Sequence, residues 1–155
     1  MMKINKAGLN LIKEFEGCRL KPYKALPSEP YYTLGIGHYG ADTVKIYNAA
    51  VADHGSFTED DALNLLEKDV ARFDAIVNKY CAHLKLNSNQ HSALVSFTYN
   101  CGAGNLARLI KGRDKKTIGE KILLYNKAGG KTLKGLVRRR EGEQKLYKKA
   151  VKKDA

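Results

Sequence analysis

Apolar residues recur at helical spacing at Leu9, Ile12 and Phe15, with Ile4 ahead of them and Asn5 between. That spacing predicts a first helix, capped by Asn5, stapled by Ile4 and ending near Gly17. Residues 19–24 read as a strand, placed at a sheet edge because Pro22 cannot donate to a ladder. Pro27 and Pro30 make residues 25–30 a loop. Residues 31–36 read as the return strand. Residues 39–57 show no clear period, and irregular chain with one short strand near residues 43–47 is expected.

The second half is helical. Thr58 begins a helix to about residue 80, with Glu59, Asp60 and Asp61 at its positive end and Thr58 with Asp61 as a capping box. Its apolar stripe is Ala62, Leu65, Leu66, Phe73, Ile76, Val77 and Tyr80. A third helix starts near Asn87 or Ser88, carries Ala93, Leu94, Phe97 and Cys101, and stops at Gly102 or Gly104. Another begins at residues 114–117 with Ile118, Ile122, Leu123 and Tyr125, and Gly129-Gly130 breaks it. A last helix covers about residues 133–151, with Leu136, Val137, Leu146 and Tyr147 facing inward. The expected class is α+β. A small hairpin-containing lobe of about residues 12–57 and a helical lobe of about 58–155 are joined by a long helix, with the N-terminal helix packed on the helical lobe.

At 155 residues the chain suits one domain. Lys and Arg number 28 against 16 Asp and Glu, a formal +12, which favours polyanionic partners. Residues 1–13 lack the apolar core of a secretory signal, and no run approaches a membrane span. The protein is expected to stay in the cytosol until something releases it. Cys18, Cys81 and Cys101 show neither a disulfide framework nor metal-ligand spacing, so they read as small apolar fillers, and no metal or cofactor is expected.

Glu16 is the candidate acid. A general acid must carry a proton to its substrate. The negative end of a helix macrodipole disfavours a further negative charge there, which suits a protonated carboxyl, and burial in a cleft acts the same way. The plain reading is a solvated helix-end glutamate like Glu14.

Phe15-Glu16-Gly17, Arg19-Leu20, Tyr23 and Thr33-Leu34-Gly35-Ile36-Gly37-His38 together resemble the phage lysozyme family of endolysins, muramidases of the glycoside hydrolase class. Ala93-Leu94-Val95-Ser96-Phe97 through Asn100-Cys101-Gly102 resembles the family's mid-chain helix. Leu124-Tyr125-Asn126, Gly129-Gly130 and residues 135–143 resemble its C-terminal pattern. The resemblance implies a lysozyme-like fold with a cleft between two lobes. It also implies hydrolysis of the linkage between N-acetylmuramic acid and N-acetylglucosamine in peptidoglycan. Glu16 falls on the catalytic glutamate and Thr33 on the threonine beside the attacking water. Ala25 stands where many members carry an aspartate, and it can neither polarise water nor stabilise an oxocarbenium-like charge. Three explanations stay open. Glu29 replaces the missing acid. Glu16 works alone, with water or with the sugar's own 6-hydroxyl as in lytic transglycosylases. Or the protein is an inactive wall-binding relative.

The family pattern further implies an ion pair of His38 with Asp69, which lies within the apolar stripe. Of Arg138, Arg139 and Arg140, not all can face one site, because successive helical residues diverge by about 100°. Arg139 is the one expected to point toward Glu16. Tyr32, Tyr39 and Gly37 are candidates for substrate contact, although core packing also suits the tyrosines, Tyr31 included. A competing class is a small basic nucleic-acid or wall-binding module. Against nucleic acid, no helix-turn-helix, zinc finger or aromatic RNA-binding motif is present. The expected partner is cell-wall peptidoglycan, met by a monomer without membrane insertion, after release from the host bacterial cytoplasm with a holin.

Overall fold

A computed structural model describes residues 1–151. The chain forms two compact units: Ile12–Asp69, and Met1–Leu11 together with the chain from Val70 onward. Helices predominate over two small antiparallel sheets, an α+β architecture as expected.

In the unit Ile12–Asp69, the first helix α1 (Lys6–Glu16) runs into strand β1 (Arg19–Tyr23). Strands β2 (Tyr32–Gly35) and β3 (His38–Gly40) complete a three-stranded sheet in the order β1-β2-β3. The register pairs Tyr23 with Thr33 and Arg19 with Gly35, then Thr33 with Tyr39 and Leu34 with His38. Leu34 and Ile36 are buried along with Phe57, Ala62 and Leu66. Gly35 has φ 66°, and a Cβ there would sit 3.4 Å from the Ala62 methyl, so the sheet passes close to the helix beneath it.

Residues 39–57 differ from the expectation. They hold β3 and a twelve-residue helix, α2 (Thr43–His54), with no strand at residues 43–47. Val44, Ile46 and Tyr47 carry a strand-like local preference, but Ala49, Ala50 and Ala52 extend a helix that Gly55 closes in the left-handed region at φ 89°. Helix α3 (Glu59–Tyr80) starts as its capping box predicts: Thr58 N–H donates to Asp61 Oδ2 at 2.8 Å, and Asp61 N–H to Thr58 Oγ1 at 3.2 Å. Its buried row is Ala62, Leu66, Val70, Asp74 and Val77, spaced three or four apart. Leu65, Phe73 and Ile76 are only half-buried, and Tyr80, expected inward, is exposed.

The other unit is built around α4 (Ser88–Cys101), buried continuously from His91 to Thr98. Asn87 and Gln90 form its capping box. Gly102 interrupts the chain at φ 85°, and an unanticipated helix, α5 (Ala103–Ile110), follows at once. Helix α6 (Lys115–Lys121) is capped by Asp114, whose Oδ1 accepts from Thr117 N–H at 2.8 Å. Gly129 and Gly130, both at positive φ, turn a short hairpin of β4 (Lys127–Ala128) and β5 (Lys131–Thr132). The last helix, α7 (Lys134–Lys148), packs along α4 and is shorter than expected. The chain start is tied down here: Ile4 N–H donates to Asp74 Oδ1 at 2.8 Å and Asn5 N–H to Ser92 Oγ at 2.9 Å. A Cβ on Gly8 would come within 2.6 Å of Ile4, so only glycine fits that crossing.

Candidate active site

Glu16 is the last residue of α1. The helix is started by Asn5, whose Oδ1 accepts from Gly8 N–H at 3.0 Å. It is stopped by Gly17, at φ 77° with its N–H donating to Lys13 O at 2.8 Å. The carboxylate therefore sits at the negative end of a well-defined helix. It is exposed within its surroundings, so the expected burial is not seen.

Thr33 lies half-buried in the middle strand, with Tyr23 and Tyr39 as its neighbours across the sheet. Ala25 is exposed just beyond β1. Glu29 is half-buried in a tight turn closed by its own N–H on Leu26 O at 3.0 Å. The tyrosines are surface groups and not core packing: Tyr31, Tyr32 and Tyr39 are 43%, 41% and 47% exposed. Lys24 Nζ stands 4.9 Å from the Tyr32 ring centre, and Tyr31 meets Tyr39 edge-on at 5.6 Å. Gly37, at φ 80°, turns β2 into β3. Tyr31 and Tyr39 share the face of Thr33 and Tyr32 points to the other, so the Thr33 face is polar and aromatic-fringed and suits a sugar better than an apolar ligand.

His38 lies between two carboxylates. Its Nδ1 is 2.8 Å from Asp69 Oδ2 and its Nε2 is 2.9 Å from Asp42 Oδ1. A neutral imidazole has one N–H and can satisfy only one of them, whereas the imidazolium satisfies both. Burial opposes that charge, but the hydrogen bonds His38 donates to Asp42 and Asp69 outweigh it and raise His38 above its ordinary value. Asp42, a partner that sequence reasoning missed, is held low by the same bond. The signal available was its spacing four residues after His38.

The arginine run resolves differently from a single inward side chain. Arg138 is exposed, while Arg139 and Arg140 are both buried. Arg140 Nε lies 2.8 Å from Glu143 Oε1, and its Nη2 donates to Asn100 Oδ1 at 2.7 Å. Its Nη1 also contacts Cys101 Sγ, and its guanidinium stacks over Phe97 at 5.1 Å. Ser96 Oγ donates to Glu143 Oε2 at 2.6 Å, and Arg139 Nε is 3.5 Å from the same oxygen. Burial pushes the Glu143 carboxyl up, and the two arginines with Ser96 pull it back. The readable signal was the Arg-Arg-x-x-Glu spacing, which puts both arginines one helical turn from Glu143. A second buried pair, His91 Nε2 to Asp74 Oδ1 at 2.8 Å, was also missed.

Beside this cluster lies a groove of about 440 Å³, lined by Asn100, Cys101, Asn105, Tyr125, Lys127 and Leu136. Its mix of amides, a cation and apolar walls is the kind that orients a saccharide. The three cysteines are free thiols. Burial raises all of them, Cys81 to about 11, which makes them poor nucleophiles. Among the described residues no cluster of three or more metal-ligating side chains occurs, and no helix is long and apolar enough to cross a membrane.

Comparison with known proteins agrees with the fold. The family model described as phage lysozyme matches residues 13–143. An endolysin of Bacillus phage B103 is 43% identical over 152 residues, covering 94% of this chain and 54% of the relative. An endolysin of Lactococcus phage c2 is 41% identical over 151 residues, covering 97% of this chain and 62% of the relative. The chain thus spans little more than half the length of these curated relatives. Among solved structures, the muramidase domain of SpmX from Asticaccaulis excentricus matches with a TM-score of 0.73 and 28% identity, covering 97% of this chain and 100% of that one.

Proposed function

The chain belongs to the phage lysozyme family, and from that premise we propose that it is an endolysin. It hydrolyses the linkage between N-acetylmuramic acid and N-acetylglucosamine in bacterial peptidoglycan, acting as a monomer. The observation that carries this reading is Glu16 fixed at the end of α1, one short turn before a sheet whose middle strand holds Thr33. It remains in the host cytoplasm until it is released to the wall with the help of a holin.

Glu16 gives its proton to the glycosidic oxygen as the bond from that oxygen to C1 breaks. Water positioned by Thr33 adds to C1 and gives up a proton to a carboxylate. Ala25 cannot accept it. Glu29, half-buried in the adjoining loop, is the substitute acid. Tyr39, on the same sheet face as Thr33, and Gly37 at the adjoining turn hold the glycan.

The decisive experiment is lysis of purified peptidoglycan by Glu16→Gln. The expected rate falls by about 100-fold or more, the scale of general acid catalysis. Full lysis by this variant would remove the assignment. Ala25 also supports a second reading, attack by the sugar's own 6-hydroxyl with Glu16 acting alone. Mass spectrometry separates the two, because hydrolysis leaves a reducing end and transglycosylation a 1,6-anhydro end.

A further inference from the structure

The two units differ in charge far more than the chain average suggests. Among the described residues, Met1–Leu11 with residues 70–151 carries 20 Lys and Arg against 5 Asp and Glu, a formal +15. Ile12–Asp69 carries 6 against 10, a formal −4. The lysines look dispersed along the sequence, but the fold gathers them into one unit.

Within that unit, six exposed lysines surround the junction of α6 and α7: Lys85, Lys115, Lys116, Lys145, Lys148 and Lys149. The junction is fixed by Tyr147 Oη donating to Lys115 O at 2.6 Å and Gln144 Nε2 donating to Gly119 O at 2.9 Å. Gly119 permits the approach, since a Cβ there would lie 2.8 Å from the Tyr147 ring. Lys115 Nζ reaches Lys85 O at 3.5 Å, and Lys149 O accepts from Asn89 Nδ2 at 3.1 Å. Asp114, Glu120 and Glu141 are the acids nearby in sequence, and Asp114 is engaged in capping α6. Among the described residues none of the six lysines pairs with a carboxylate.

The chemistry of this face selects its partner. Lysine ammoniums are mobile, strongly hydrated point charges, unlike the fixed fork of arginine. Several of them on an exposed surface attract a flexible polyanion with regularly spaced charges, without selecting one small ligand. The exposed side of α7, with Lys134, Arg138, Glu141, Lys145 and Lys148, offers no large apolar residue to insert into a bilayer. We propose that the α6–α7 face binds a phosphodiester-linked anionic polymer of the bacterial wall, and that counterion release holds the protein on its target. The previous reading enters only in naming the wall as the place.

The test compares two double variants of the full chain with equal net charge, Lys115→Gln/Lys148→Gln and Lys45→Gln/Lys68→Gln. Binding is measured against salt on walls that retain their phosphate polymer and on walls stripped of it with hydrofluoric acid. Wild type is expected to bind intact walls about tenfold or more tightly than stripped walls, with log affinity falling linearly with log salt. The first double variant lowers that slope by roughly 1–2 and the second leaves it unchanged. Equal behaviour of the two variants, or equal binding to stripped walls, overturns the proposal. So does tighter binding to duplex DNA or phosphatidylglycerol vesicles at the same phosphate concentration. Cleavage of soluble glycan fragments is scored separately. If that cleavage is absent while the binding pattern holds, the lytic reading fails and this one stands.

Discussion

The two units hold their densest charge clusters in opposite ways. In Ile12–Asp69, His38 is held by Asp42 and Asp69 near water, with the Asp42 side chain 60% exposed. In the other unit, Arg140 and Glu143 are fully buried, and Arg139 and Ser96 complete the set. A charge near water is cheap to hold and worth little, so the His38 cluster can titrate while the unit stays folded. A charge stripped of water costs several kcal/mol unless every partner is in place. The Glu143 cluster is therefore an all-or-none element. Its gain in specificity comes from fixing α7 on α4 in one register, since Ser96, Asn100 and Cys101 come from α4 and Arg140 and Glu143 from α7.

The hardest way to break this contrast is Glu143→Ala. It removes the carboxylate that two buried guanidiniums share and leaves a cavity beside Ser96. The expected loss is about 3–5 kcal/mol in denaturant unfolding, the scale of breaking a buried pair by removing one partner. Replacing Arg140 and Glu143 together by Met and Leu should recover most of that loss, because the penalty lies in the orphaned charge. A double variant no more stable than Glu143→Ala would show that the polar contacts themselves hold the helices.

The same contrast separates what sequence reasoning reached from what it did not. Thr58 with Asp61, Asn5 before α1 and Asn87 before α4 were readable because a cap acts within one turn. The strand–loop–strand around Glu16 and Thr33 was readable because prolines and glycines punctuate it. Helix α2 was not legible because Val44, Ile46 and Tyr47 favour strand locally, while Ala49, Ala50 and Ala52 and the Gly55 stop carry the helix. The pairs Ser96–Glu143 and His91–Asp74 were invisible because their members lie 47 and 17 residues apart. Asp69 falls within the apolar stripe of α3 but remains partly exposed, and the buried acid is Asp74. The helix period limits the phase of a face no better than that.

A smaller effect sharpens the other side of the comparison. His38 is raised in the folded state. Its stabilisation is fully present below its unfolded value of about 6.5 and is lost as pH rises through the raised folded value. Asp42 is lowered, so its share is present above its unfolded value of 3.8 and is lost as pH falls through the folded one. The cluster thus contributes most between about pH 4 and 6.5. Asp69→Asn should cost about 0.5–1 kcal/mol at pH 6 and less at pH 9. The check is unfolding at both pH values. A cost that grows toward pH 9 would contradict the charged-histidine assignment.

His54 gives the smallest effect, and the most discriminating one. It repeats the His38 pattern, with Nδ1 3.0 Å from Asp53 Oδ2 and Nε2 2.7 Å from Asp61 Oδ2. Its pKa is likewise raised by hydrogen bonds to Asp53 and then Asp61. It differs in lying on the surface, where water and salt screen both partners. Asp61 is already committed to Thr58 at the start of α3, so the cap survives without the histidine. His54→Gln should therefore leave the melting temperature unchanged at pH 6, whereas His38→Gln lowers it. If both variants shift it equally, exposure does not set the value of these clusters, and geometry at the imidazole does.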